Sequence, residues 1–151
     1  MVQSAAGFID GSRVMSRLPE MDRWIVEALR KHASGVRGKT VTVWGSMSPW
    51  YEALAVASGA SRVTTVEYNR LTYDHELMEQ VTPRELSAHT PVGGFDVALS
   101  ISSFDHDGLG RCVRAPRFRW SAAVAITSTH AHGCVGCRVE CMRDVCVSVA
   151  E

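Results

Sequence analysis

Two short β-branched runs, Val41-Thr-Val-Trp44 and Val63-Thr-Thr-Val66, lie 22 positions apart with one helix-sized segment between them. A strand buried on both faces of a parallel sheet reads as such a run rather than as an alternation. Between the two, Ser48 is suited to cap a helix and Pro49 to its first turn, where a missing N–H costs nothing. The segment predicts a helix from about Pro49 to Ser58, stopped by Gly59. The second strand ends on Glu67, 22 residues beyond Gly45. That is close to the ~20 at which an acidic side chain reaches ribose hydroxyls in nucleotide-binding α/β sheets. The unit implies an adenosine-containing ligand without saying which.

At 151 residues the chain has the length of one domain and is short for a complete doubly wound enzyme. The formal charge is zero, so nothing argues for nucleic acid or an anionic membrane as partner. No apolar run approaches the ~20 residues of a membrane span. The start, MVQSAAGFIDGSR, lacks a basic region followed by an apolar core, so no secretory signal is expected. The default is then a cytoplasmic location with reduced thiols.

The composition changes near Arg111. Residues 1–110 carry 10 basic against 13 acidic residues and no cysteine; residues 111–151 carry six arginines, three acids and all five cysteines. No Gly/Ser/Pro-rich spacer marks the change. The expected organisation is a partial α/β domain over 1–111 followed by an Arg/Cys-rich tail over 112–151.

Elsewhere, Leu18 to about Ala33 predicts an amphipathic helix, with Met21, Trp24, Ile25, Ala28 and Leu29 on one face. Its acids lie early and its bases late, as the helix dipole prefers. Thr72–Gln80 is polar and reads as a loop or short helix. Thr82-Pro-Arg-Glu85 has the form of a capping box. Phe95–Ile101 predicts another strand, followed by the polar cluster Ser102-Ser-Phe-Asp-His-Asp-Gly108 where ligands bind in open α/β sheets.

Gly45 would let backbone approach a ligand, or merely permit a turn. The loop Gly45-Ser-Met-Ser-Pro-Trp50 lacks the three glycines of a dinucleotide site. This counts less against S-adenosylmethionine, which has no phosphate. It also fails the G-x-S-x-G nucleophile elbow. Glu67 can accept ribose hydroxyl protons in charge-assisted bonds, or it is a solvated carboxylate at a strand end. His106, between Asp105 and Asp107, has the chemistry of a general base or an incomplete metal site. Adjacency alone supplies neither geometry, and a helix cap with a surface histidine is the simpler reading. Ser102 and Ser103 are the better candidates for ligand contact. In the tail, Cys134 and Cys137 have zinc-knuckle spacing, but Cys141 and Cys146 follow too closely for the usual structural zinc site.

The blocks GKTVTVWGSMSPWYEALAVASGASRVTTVEYNRL, VTPREL and FDVALSISSFDHDGLGR resemble the family named after Caenorhabditis proteins of unknown function, itself similar to class I S-adenosylmethionine-dependent methyltransferases. The resemblance runs from roughly Phe8 to Arg111, with Gly45–Glu52 and Ser102–Gly110 its most distinctive blocks. It implies a Rossmann-like three-layer α/β sandwich. Gly45 and Ser46 would then sit in the cofactor loop, Glu67 at the end of the second strand, and Ser102 to Asp107 beside the transferred methyl group. The family usually has Glu where this chain has Asp105. After GLGR it continues with Tyr-Gly-Asp-Pro, whereas this chain reads Cys112-Val-Arg-Ala-Pro-Arg-Phe-Arg-Trp120. That departure and the composition shift imply that residues 112–151 come from another frame or an alternative exon; reading the transcript across the Arg111 codon decides it. The sheet would then be incomplete at its C-terminal side, with Ser121–Thr127 and Cys141–Val149 as possible replacement strands, and marginal in stability.

The reading is therefore a methyltransferase-type domain, with S-adenosylmethionine as cofactor and an unknown small-molecule or glycan acceptor. The rivals are a non-catalytic remnant that binds a partner, a metal-binding tail and, weakest, a nicotinamide oxidoreductase.

Overall fold

The computed structural model describes residues 1–100 and the backbone of three further strands at 124–127, 138–142 and 145–149. The two β-branched runs form adjacent parallel strands, β1 (Thr40–Trp44) and β2 (Arg62–Val66). The sheet is completed by β3 (Met78–Val81), β4 (Val97–Ser100), β5 (Val124–Thr127), β6 (Arg138–Met142) and β7 (Val145–Val149). Its order is β3-β2-β1-β4-β5-β7-β6. Strands β1 to β5 are mutually parallel, while β7 is antiparallel to both β5 and β6. The order reverses between β1 and β4, the switch point at which an open α/β sheet offers a crevice above its strand ends.

The alternation of side chains assigns the two faces. Val41, Val43, Val63, Val97 and Leu99 join one core with residues of the helices α1 (Val2–Ile9), α2 (Glu20–Lys31), α3 (Ala33–Val36) and α4 (Trp50–Ala57). Val66, Val81 and Phe95, with Trp44 packed against them, meet Leu86 of the short helix α5 (Leu86–His89) on the other. Among the described residues, α5 is the helix of that second layer. The β1 and β4 starts are tied by Asp96, whose carboxylate accepts the Thr40 N–H at 2.9 Å and its hydroxyl at 2.8 Å.

Several local expectations need correction. The Leu18–Ala33 helix begins only at Glu20 behind Pro19, and His32 at φ −107° separates α2 from α3. Pro49 occupies the N-cap of α4, without a side-chain cap from Ser48. Gly59 does stop that helix, at φ +94°, with its N–H on Val56 O and the Ala60 N–H on Ala55 O. This is a Schellman closure, which requires a left-handed residue at that point. The polar Thr72–Gln80 stretch ends in β3 rather than in a helix. Its polar side chains are tolerated because β3 is an edge strand and they are paired: Glu79 with Arg62 and Thr64, Gln80 with the Glu67 carbonyl. Ser121–Thr127 contains β5, but Cys141–Val149 is divided between two strands of a hairpin.

Helix α1 lies in MVQSAAGFIDGSR, where composition promised no element. Phe8 holds it by an edge-on contact with Trp50, ring centroids 5.8 Å apart, and the Arg13 guanidinium lies 5.4 Å from the Phe8 ring centroid. Arg30 of α2 donates to the Phe8 carbonyl. Tyr51 of α4 reaches Asp22 of α2 at 3.0 Å. Burial, and next the neighbouring Asp22 charge, push the Tyr51 hydroxyl well above its ordinary range, so it remains a donor.

Candidate cofactor cleft

Trp44 and Val66 are register partners, so Gly45 and Glu67 leave the sheet side by side at neighbouring strand ends. Gly45 turns the chain at φ +76°, a left-handed conformation that glycine adopts without the penalty a Cβ would bring. On the other flank of β1, Trp44 pairs with Ser100, the last residue of β4. The three strand ends thus bracket the switch point.

Ser46 is buried, and its hydroxyl points inward, its one proton shared between the Ser48 carbonyl at 2.7 Å and Glu52 Oε2 at 3.0 Å. Only its backbone remains for a ligand. Glu67 is half-buried. Its Oε1 accepts the N–H of Tyr68 at 2.8 Å, the N–H of Asn69 at 3.2 Å and Asn69 Nδ2 at 3.3 Å. Among the described residues Oε2 has no partner, so one oxygen, not two, is open to a further donor. The predicted contacts Ser102 and Ser103, and the acid–base candidates Asp105, His106 and Asp107, lie outside the described residues. So do the side chains of Cys134, Cys137, Cys141 and Cys146; the backbone places Cys141 and Cys146 as register partners in the β6–β7 hairpin. Among the described residues, no cluster of His, Cys, Asp and Glu could hold a metal, and no helix is long and apolar enough to cross a membrane.

Sequence reasoning missed Glu52 as a site residue. It lies in the first turn of α4 with no exposed surface. It accepts the Ser46 hydroxyl, the Thr65 hydroxyl at 2.7 Å and the Tyr73 hydroxyl at 3.1 Å. Burial raises the Tyr73 pKa well above its ordinary value; its bond with Thr65 opposes this, and the Glu52 charge adds to it. Tyr73 is therefore a donor throughout the neutral range. The outer side of this group adjoins a cavity of about 500 Å³, lined by Val2, Pro49, Tyr73, His75 and Met78 among others. The one signal available in the sequence was that the distinctive Gly45 block ends on this acid.

The helix N-terminus above the turn is poorly prepared for phosphate. Pro49 has no N–H, the Trp50 N–H is taken by Ser48 O at 2.7 Å, and the first turn contains Glu52. Phosphate sites at such turns rely on those donors, so the geometry disfavours a pyrophosphate.

The fold is that of a Rossmann-like class I methyltransferase. It is similar to the solved structure "Putative methyltransferase yhhF from Escherichia coli", with a TM-score of 0.59 at 12% identity over 87% of this chain and 86% of that one. Residues 38–115 match the family described as "Caenorhabditis protein of unknown function, DUF268", and the chain belongs to it. A comparison with curated protein sequences gives no significant match.

Proposed function

We propose that the cleft at the ends of β1 and β2 binds S-adenosylmethionine, and that the domain's ancestral reaction is methyl transfer to a small-molecule or glycan acceptor. The carrying observation is the pairing of a glycine turn with an acidic strand end beside a helix start at which neither Pro49 nor Trp50 offers a free N–H. This combination suits an adenosyl group without a pyrophosphate. Glu67 Oε2 would accept a ribose hydroxyl, and the Gly45–Ser46 backbone would line the amino-acid end of the ligand. When bound, the cofactor supplies an electrophilic methyl group. The segment from Ser102 to Asp107, which follows β4, would shape the acceptor side; alignment of acceptor and methyl carbon can account for much of the rate in such sites.

Calorimetric titration of the chain with S-adenosylhomocysteine, NAD and ATP tests this assignment. Saturable binding of the first, lost in Glu67→Ala, supports the reading. Preference for either phosphate ligand would remove it. The divergent tail from residue 112 is proposed to be a replacement for the ancestral C-terminal part; the family match ends at residue 115, close to the compositional boundary.

A further inference from the structure

We infer that Glu52 is a positioning residue of this cleft, locking the turn after β1 and the segment after β2 against each other through three hydroxyls. The inference rests on the cofactor reading above.

A carboxylate in the first turn of a helix is ordinarily explained by the helix dipole, which it satisfies while remaining in water. Glu52 is instead fully buried, and no Lys, Arg or His among the described residues is paired with it. Taking such a group out of water is costly unless donors surround it. The donors come from three separate parts of the chain: Ser46 in the turn, Thr65 in β2, and Tyr73 in the segment leading to β3. No element of helix α4 requires that arrangement.

Each tie ends next to the cleft. Ser46 directly follows Gly45, so its inward hydroxyl holds the turn from below and leaves the backbone facing outward. Thr65 lies two residues before Glu67 on the same strand. Tyr73 follows the Glu67–Asn69 turn, and its ring borders the cavity, so that side offers little packing to fix it. Glu52 therefore sets the relative position of Gly45 and the Glu67 turn without touching the ligand. A cleft held in this way is formed before binding, which is the general route by which a supporting residue raises affinity.

The test uses the full chain and its Glu52→Gln, Tyr73→Phe and Glu67→Ala variants, each first shown to be folded. S-adenosylhomocysteine is titrated into each, and amide hydrogen exchange is followed without ligand. Glu52→Gln should weaken binding on the order of tenfold, the equivalent of one charge-assisted hydrogen bond, and Tyr73→Phe by less. In both, exchange at residues 45–48 and 68–74 should quicken together, whereas Glu67→Ala should lose binding with exchange at 45–48 unchanged. Wild-type affinity in Glu52→Gln, or faster exchange confined to α4, overturns the inference. If the unaltered chain binds no S-adenosylhomocysteine, the cofactor reading fails, and coupled exchange of the two segments still decides whether Glu52 locks them.

Discussion

Replacing Glu52 by leucine separates the hydrogen-bonding role of this residue from its volume. The change removes the acceptor of three hydroxyls but keeps a side chain of similar size in the same space. Thr65 is fully buried and loses the carboxylate that holds its hydroxyl at 2.7 Å, keeping the Tyr73 hydroxyl as its remaining partner, at a cost of about 1–2 kcal/mol. Ser46 retains the Ser48 carbonyl at 2.7 Å and loses little. Tyr73 is half-buried and can turn towards water, which limits its loss to about 1 kcal/mol. The leucine returns part of this by apolar packing, leaving a net destabilisation of about 2 kcal/mol. In urea, with a slope of about 1–3 kcal/mol per molar, the unfolding midpoint should fall by about 1 M. Adding Thr65→Val removes that weakly partnered donor as well, and the double variant should recover about half of the loss. A buried carboxylate can also be a net burden, and its replacement by a hydrophobe then stabilises. A Glu52→Leu chain as stable as the parent, or more so, would refute the claim that these three bonds hold the strand ends.

Gly59→Ala should cost about 1–2 kcal/mol, because the site has φ +94° and a Cβ there would lie 3.2 Å from Arg37 Cγ; thermal unfolding measures it. Phe8→Ala should cost about 3 kcal/mol in urea unfolding if α1 is docked through the Phe8–Trp50 contact, and almost nothing if it is not. Glu85 is held at a pKa of about 2 against 4.5 for the ordinary group, by the Thr82 N–H first, then the Thr82 hydroxyl and Arg70. Its folded pKa is depressed, so its contribution is present above about pH 4.5 and is lost as pH falls towards 2. Glu85→Gln should therefore flatten the acid side of the stability profile; an unchanged profile contradicts that role.

The legibility of the chain followed the range of the forces involved. Val41–Trp44, Val63–Val66 and the Gly59 stop were readable because a buried parallel strand and a Schellman closure leave local marks in composition. The Thr82–Glu85 pairing was readable for the same reason, with Glu85 Oε2 on the Thr82 N–H at 2.9 Å, but the helix it was expected to open begins only at Leu86, with Glu85 as its N-cap. Helix α1 was not, because its small residues carry no end signals and its stability comes from Phe8 meeting Trp50, 42 positions away. Strand β3 was hidden because Glu79 and Gln80 look like loop residues until Arg62, Thr64 and the Glu67 carbonyl pair with them. Glu52 was hidden similarly: its burial depends on Thr65 and Tyr73, and by itself an acid in a first helical turn reads as solvated. Gly45 follows β1 and Glu67 follows β2, and the pairing of the two strands brings these positions side by side. The roles assigned to Ser46 and Glu67 are narrower than the pattern suggested, since Ser46 faces inward and one Glu67 oxygen serves its own turn.

The most direct test of the account is to map S-adenosylhomocysteine onto the chain by amide chemical shifts during a titration. The account predicts saturable changes concentrated at Gly45, Ser46 and Glu67 to Asn69, with Tyr73 following through Glu52. Shifts centred on His75 and Met78 beside the cavity, with the Gly45 turn unmoved, would contradict it, as would a folded chain that shows no change at all.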